Sequence, residues 1–196
     1  MAQQELVIFV APLGVNEALL KPLTRHFRRH GFEPVVADFH WRDTRETLRQ
    51  KLDRLGALVD RGQASGKGVS LIGCSGGGSV ALNVFAEHTA KISKVVNLCG
   101  RLKVGDHHDL DESAKGQMAL YVESIKAWEA RSSQLDPSAR ARILTLRPGH
   151  GDEFVPADTV TVDGAFNQAL PTFEHILSII LGLTLLSGRV VRFLRS

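Results

Sequence analysis

Apolar runs of strand length alternate with helical patterns along the chain. Residues 5–12 (ELVIFVAP), 33–39 (EPVVADF), 68–73 (GVSLIG), 93–100 (SKVVNLCG) and 141–149 (ARILTLRPG) each read as a strand, and 158–164 (DTVTVDG) reads as a short sixth. Residues 15–31 form an amphipathic helical pattern that contains Pro22 and stops at Gly31. A long helix is predicted over 43–62, where Leu48, Leu52, Leu55, Leu58 and Val59 recur at three- and four-residue steps. Further helices are predicted over 77–89, over about 113–130, and from near Phe173 onward. The alternation implies βαβ units, hence a parallel sheet with helices on both faces. The unbroken apolar character of LVIFV and VSLIG fits strands buried on both sides. The expected fold is α/β, a three-layer α/β/α arrangement around a mostly parallel sheet of about six strands, with residues 1–196 as one domain.

The apolar stretch Ile176–Gly188 (ILSIILGLTLLSG) falls short of the ~20 residues that span a bilayer, and Ser178 and Thr184 interrupt it. It reads as a buried core helix, with no membrane span expected. The start, MAQQELVIFVAP, has neither a basic opening nor a small-residue cleavage site, so it does not read as a signal peptide.

Composition narrows the class. The 196 residues suit one domain with a real hydrophobic core, and 43% hydrophobic against 23% charged residues argues against disorder. A formal net charge of +3, spread among acidic residues, is too mild for a nucleic-acid binder. The densest basic stretch, TRHFRRHGF, reads as the solvated C-terminal end of a helix. Two isolated cysteines, Cys74 and Cys99, make neither a disulfide framework nor a metal-ligand pattern. A reduced, cytoplasmic protein without metal or cofactor is the expectation.

The chemistry concentrates at residues 71–79, LIGCSGGGS. Gly73-Cys74-Ser75-Gly76-Gly77 matches G-x-S-x-G between a predicted strand and a predicted helix, the placement that a nucleophile elbow requires. Gly73 and Gly77 let strand and helix approach closely, while the turn holds the serine hydroxyl above the carboxyl edge of the sheet. The glycines do not fit a dinucleotide fingerprint, and residues 62–68 resemble a P-loop only superficially.

A serine nucleophile needs a base, and the base an orienting acid. Asp152 lies in RPGHGDEFVP after the fifth strand, and His175 in LPTFEHILS after the sixth. The order Ser75, Asp152, His175 is that of a serine hydrolase on an open α/β sheet. All three would follow strands whose carboxyl ends share one edge. His150 competes as base, and Asp106 as acid. Gly105-Asp106-His107-His108-Asp109 reads as an exposed loop in preference to a metal cluster. Trp128, Tyr121 and Met118, at helical spacing, read as packing residues.

Ser75 in GCSGGG, Asp152 in GHGDEFVP and His175 in PTFEHILS resemble the α/β-hydrolase fold superfamily over nearly the whole chain. The resemblance implies a core without the family's first two strands and an all-parallel sheet in the order 2-1-3-4-5-6. It aligns the loop APLGVNE with the family's oxyanion loop, which would make the N–H groups of Leu13 and Gly76 the oxyanion donors. Two features depart from the family pattern. Ala11-Pro12 replaces the familiar His-Gly pair, and Cys74 replaces a frequent His before the nucleophile. Neither removes a required catalytic group. The expected activity is hydrolysis of a small carboxylic ester or thioester through an acyl-enzyme at an open, shallow site. The alternative is a non-catalytic binding or regulatory protein on the same fold. The expected partner is a small-molecule ester, and a homodimer stays open.

Overall fold

The structure, a computed structural model, describes residues 5–105, 110 and 115–196. Six strands form one parallel sheet: β1 (Glu5–Val10), β2 (Phe32–Ala37), β3 (Val69–Cys74), β4 (Val95–Leu98), β5 (Ile143–Pro148) and β6 (Phe166–Leu170). Their spatial order is β2-β1-β3-β4-β5-β6, and every neighbouring pair is parallel. The helices are α1 (Glu17–Thr24), α2 (Leu48–Ala64), α3 (Gly77–Glu87), α4 (Gln117–Ser132), α5 (Pro137–Arg140), α6 (His175–Leu183) and α7 (Gly188–Arg195). The strand order reverses at β1, so the connections leaving β1 and β3 diverge to opposite sides of the sheet. A crevice opens at their carboxyl ends, where open α/β sheets bind ligands.

The continuous apolar runs are shared between two cores, because successive side chains in a strand point to opposite faces. Leu6, Ile8 and Val10 of β1 pack with Leu52, Leu55 and Val59 of α2, Val80 and Val84 of α3, and Ile125 and Trp128 of α4. Val7 and Phe9 point the other way, toward Leu20 of α1, Ile179 and Leu183 of α6, and Val190 and Phe193 of α7. Ordinary capping sets the helix starts. The Asn16 side chain accepts from Ala18 N–H at α1, and Thr47 with Gln50 forms a reciprocal capping box at α2. That box explains why α2 begins at Leu48, five residues inside the predicted pattern.

Three expectations need correction. The pattern over 15–31 is an α-helix only as far as Thr24. Residues Arg25–His30 continue as a 3₁₀ helix that ends at Gly31 with φ 81°. Pro22 sits inside α1, where it supplies no N–H to the helical ladder. Residues 158–164 do not form the sixth strand; Ala157–Thr159 is a 3₁₀ turn, and the strand is Phe166–Leu170. Asn167 explains the shift. Its amide accepts from Val162 N–H at 3.0 Å and donates to Val162 O at 2.9 Å, which folds the apolar segment back as a loop. The true edge strand, FNQAL, exposes four of its five residues and so carries no apolar signal. Finally, the run 176–188 is not one buried helix. It breaks at Thr184, α6 and α7 meet at a 56° bend, and Ile176 and Leu185 are 55% and 85% exposed. Among the described residues no single helix is long and apolar enough to cross a membrane.

Candidate active site

Ser75 occupies the sharp turn between β3 and α3 with φ 49°, a left-handed conformation for a residue with a Cβ. Such a backbone costs on the order of 1–2 kcal/mol and persists because its surroundings leave no alternative. Ser75 N–H donates to Leu98 O at 2.9 Å. Its carbonyl accepts from Gly78 N–H at 2.8 Å. A Cβ on Gly73 would collide with the backbone of Gly77, and one on Gly77 with the carbonyls of Val10 and Ala11. Only glycine therefore lets the strand-to-helix turn close on itself and on β1. Beside it, the fully buried Asn97 brackets the turn after β4, donating to Gly100 O at 2.8 Å and accepting from Gly100 N–H at 3.1 Å.

His175 opens α6 and reaches back to the elbow. Its Nε2 lies 2.8 Å from Ser75 Oγ, and its Nδ1 lies 2.8 Å from Asp152 Oδ2. The side chains of His175 and Asp152 are 6% and 4% exposed. A carboxylate only accepts, so the shared proton belongs on Nδ1. Nε2 is then left to accept from the serine hydroxyl. The second carboxylate oxygen, Oδ1, accepts from Phe154 N–H and Val155 N–H, each at 2.9 Å. Burial pushes the Asp152 pKa up. The hydrogen bonds from His175, Phe154 and Val155 and the nearby imidazole outweigh it and hold the carboxyl below its ordinary value. Asp152 is thus an anion within the site at neutral pH.

Two carboxylates that sequence reasoning did not single out also grip the start of α6. Glu174 has φ 69°, and its side chain caps the helix by accepting from Ile176 N–H at 3.2 Å and Leu177 N–H at 2.6 Å. Glu153 accepts the His175 backbone N–H at 3.0 Å. The two acids set the angle at which the imidazole leaves the backbone. The sequence carries little signal for them: Glu174 falls inside the helix predicted from near Phe173, and glutamate is not among the usual capping residues. The Phe154 ring meets the His175 ring edge-on at 5.6 Å between centroids.

The predicted oxyanion donors come together as well. Leu13 follows β1 and Gly76 follows β3, on either side of the point where strand order reverses. The Leu13 nitrogen lies 3.4 Å from where a Cβ of Gly76 would stand. Among the described residues, neither N–H takes part in the backbone–backbone hydrogen bonds of loops and turns. Trp41 backs this corner and donates from its indole to Ala11 O at 3.3 Å.

The other candidates fall away or lie elsewhere. Cys74 and Cys99 are buried free thiols. Burial pushes Cys74 up to about 12 and raises Cys99 as well, with help from the nearby Asp152 charge. His150 has a backbone N–H bonded to Thr172 O at 3.0 Å and is exposed, whereas His175 stands between Ser75 and Asp152. Asp106, His107, His108 and Asp109 lie outside the described residues. Among the described residues no group of three His, Cys, Asp or Glu side chains could hold a metal ion.

A cavity of about 750 Å³ opens over Ser75 and His175. Its walls are mostly apolar and include Leu19, Leu20 and Leu23 from α1 and Ile176, Ile179 and Ile180 from α6. Met118 and Tyr121 of α4 also line it. Both also pack against the core as expected. Arg101, 1% exposed, reaches the wall from the segment after β4 and donates from Nε to Lys103 O at 2.9 Å.

This architecture is shared with solved hydrolases. The chain superposes on a structure described under "LipS and LipT, two metagenome-derived lipolytic enzymes" with a TM-score of 0.73 at 13% identity, covering 98% of this chain and 94% of that one. The Bacillus licheniformis lipase BlEst2 in mature form gives 0.72 at 16% identity, with 98% and 92% covered. The Paleococcus ferrophilus monoacylglycerol lipase gives 0.68 at 13% identity, with 96% and 93% covered. Neither a protein-family model nor a curated protein sequence matches the chain. The chain has the α/β-hydrolase fold over nearly its full length.

Proposed function

We propose that the protein is a serine hydrolase that cleaves a carboxylic ester through an acyl-enzyme, with Ser75 as nucleophile, His175 as base and Asp152 as the acid that orients it. One observation carries the reading. An unbroken hydrogen-bond chain runs from Ser75 Oγ through both ring nitrogens of His175 to a buried, ionised Asp152. It ends on a serine whose backbone is held left-handed at a strand–helix junction. A binding protein has no use for that strain or for a buried carboxylate aimed at a histidine.

The steps follow from the donors and acceptors. Ser75 Oγ attacks the ester carbonyl carbon as its proton moves to His175 Nε2. The imidazolium is stabilised by Asp152, with the Glu153 and Glu174 carboxylates close by. The carbonyl electrons move to oxygen, which the Leu13 and Gly76 N–H groups receive at the N-terminal end of α3. Collapse of the tetrahedral intermediate expels the alcohol, which takes the proton from Nε2. Water then gives a proton to Nε2 and attacks the acyl-serine, and the reverse transfer frees the acid and restores Ser75. A thioester follows the same path with a thiol leaving group.

The test is labelling with a fluorophosphonate probe beside hydrolysis of a short p-nitrophenyl ester, on wild type and Ser75→Ala. Both signals present in wild type and lost together in the variant support the reading. A well-folded wild type that neither labels nor turns over overturns it in favour of a non-catalytic binding protein.

A further inference from the structure

The cavity over Ser75 is larger and more apolar than a small ester needs. Leu20 and Ile179 line it although they are only 3% and 6% exposed, so they form an inner wall beneath the surface. Leu19, Ile176 and Ile180 line it at 66%, 55% and 38% exposure and form its mouth. The recess thus runs from the catalytic groups between α1 and α6, and on that side it is apolar from mouth to inner wall, with Arg101 on the wall that follows β4. Leu23 of α1 extends the same side.

We infer that this recess is an acyl-chain site, and that the preferred substrates are esters of unbranched apolar acids longer than butyric acid. The inference rests on the hydrolase reading and narrows its substrate. At the ~30 Å³ that a small molecule such as water takes up in a liquid, about 750 Å³ would hold on the order of two dozen heavy atoms. That exceeds what an acetyl or butyryl group fills, even after the reacting ester is seated. Leaving so much apolar wall bare to water is unfavourable, and an alkyl chain removes it from water.

The acyl side, and not the alcohol side, belongs in the recess. After the alcohol departs, water must come to its position beside His175 Nε2 to release the acid. An apolar recess is a poor reservoir for that water, whereas the acyl chain stays in place through both half-reactions. The chain path is also contiguous with the oxyanion corner: Pro12 and Leu13 lead directly into α1, so one segment would hold the carbonyl oxygen and the chain attached to it.

The experiment is kcat/KM for p-nitrophenyl esters of increasing acyl length, each below its aggregation concentration, together with alkyl butyrates of increasing alcohol length. The expected result is a rise of about fourfold per added methylene until the recess is full, then a plateau or fall. Leu23→Trp, which fills the recess, and Ile176→Asn, a change at an exposed position that leaves the core untouched, should each lower the octanoate-to-acetate ratio at least tenfold. Circular dichroism checks that both variants fold. A flat or falling acyl series, with acetate still cleaved through Ser75, overturns the acyl-chain site and leaves the hydrolase intact. A gain with alcohol length alone overturns the assignment to the acyl side. No labelling and no cleavage at any length overturns the hydrolase reading and this inference with it.

Discussion

Replacing Asp152 with asparagine isolates one atom of the proposed mechanism. Asp152 Oδ1 accepts from two backbone N–H groups, Phe154 and Val155. Both need an acceptor oxygen, so the asparagine carbonyl takes the place of Oδ1 and its NH₂ must face His175 Nδ1. An NH₂ cannot accept a proton from Nδ1. The imidazole therefore turns to its other tautomer, with the proton on Nε2 and the lone pair on Nδ1. Nε2, 2.8 Å from Ser75 Oγ, then has no site for the serine proton. In a Ser-His-Asp arrangement this exchange lowers kcat on the order of 10⁴-fold, about 5.5 kcal/mol of barrier. The apolar recess is untouched, so KM should move little. Steady-state hydrolysis of p-nitrophenyl butyrate and the second-order rate of fluorophosphonate inactivation should fall together, while circular dichroism stays native. A kcat within tenfold of wild type in a folded Asp152→Asn protein would refute the assignment of Asp152 as the orienting acid.

Other outcomes follow from the same contacts. Asp152 titrates below its ordinary value in the fold, so its contribution to stability is complete above about pH 4 and is lost as pH falls through the depressed value. Urea midpoints measured toward acid should drop more steeply for wild type than for Asp152→Asn, and parallel curves would contradict this. Cys74, with its pKa pushed to about 12, carries on the order of one thiolate in ten thousand at about pH 8. Iodoacetamide should therefore leave both cysteines of the native protein unmodified and alkylate both in denaturant; rapid native labelling would show a thiol open to solvent. Asn97→Ala strands both polar groups of Gly100 in a buried turn and should cost about 2–3 kcal/mol in chemical denaturation. A loss under about 0.5 kcal/mol would mean that the Asn97 bonds do not hold the turn beside Ser75.

Helix alternation, the parallel sheet and the glycine-bedded serine were legible in the chain because each is a local pattern. A strand buried on both faces must be apolar throughout, and a turn this tight leaves no room for side chains at Gly73 and Gly77. Spacing and order also brought Asp152 and His175 forward as the preferred acid and base, with Asp106 and His150 as their rivals. The order of the three residues favoured His175 over His150, and the fold supplies the distances that set its ring between Ser75 and Asp152. The missed features share a cause. The edge strand β6 gains only one partner and is mostly exposed, so nothing in its composition marks it, while the apolar 158–164 segment is diverted by a single side chain, Asn167. The break at Thr184 splits what reads as one core helix, and Ile176 and Ile180 of α6 line the recess.

The amino-acid sequence alone determined the layers, the direction of the strands and the tight strand–helix turn at Ser75, since these depend on periodicity and on local sterics. The tertiary structure alone decided which nitrogen faces which oxygen, how Glu153 and Glu174 clamp the start of α6, and the size of the apolar recess. Those depend on distances between segments up to 100 residues apart, and such distances come into being only when the sheet draws their ends to one edge.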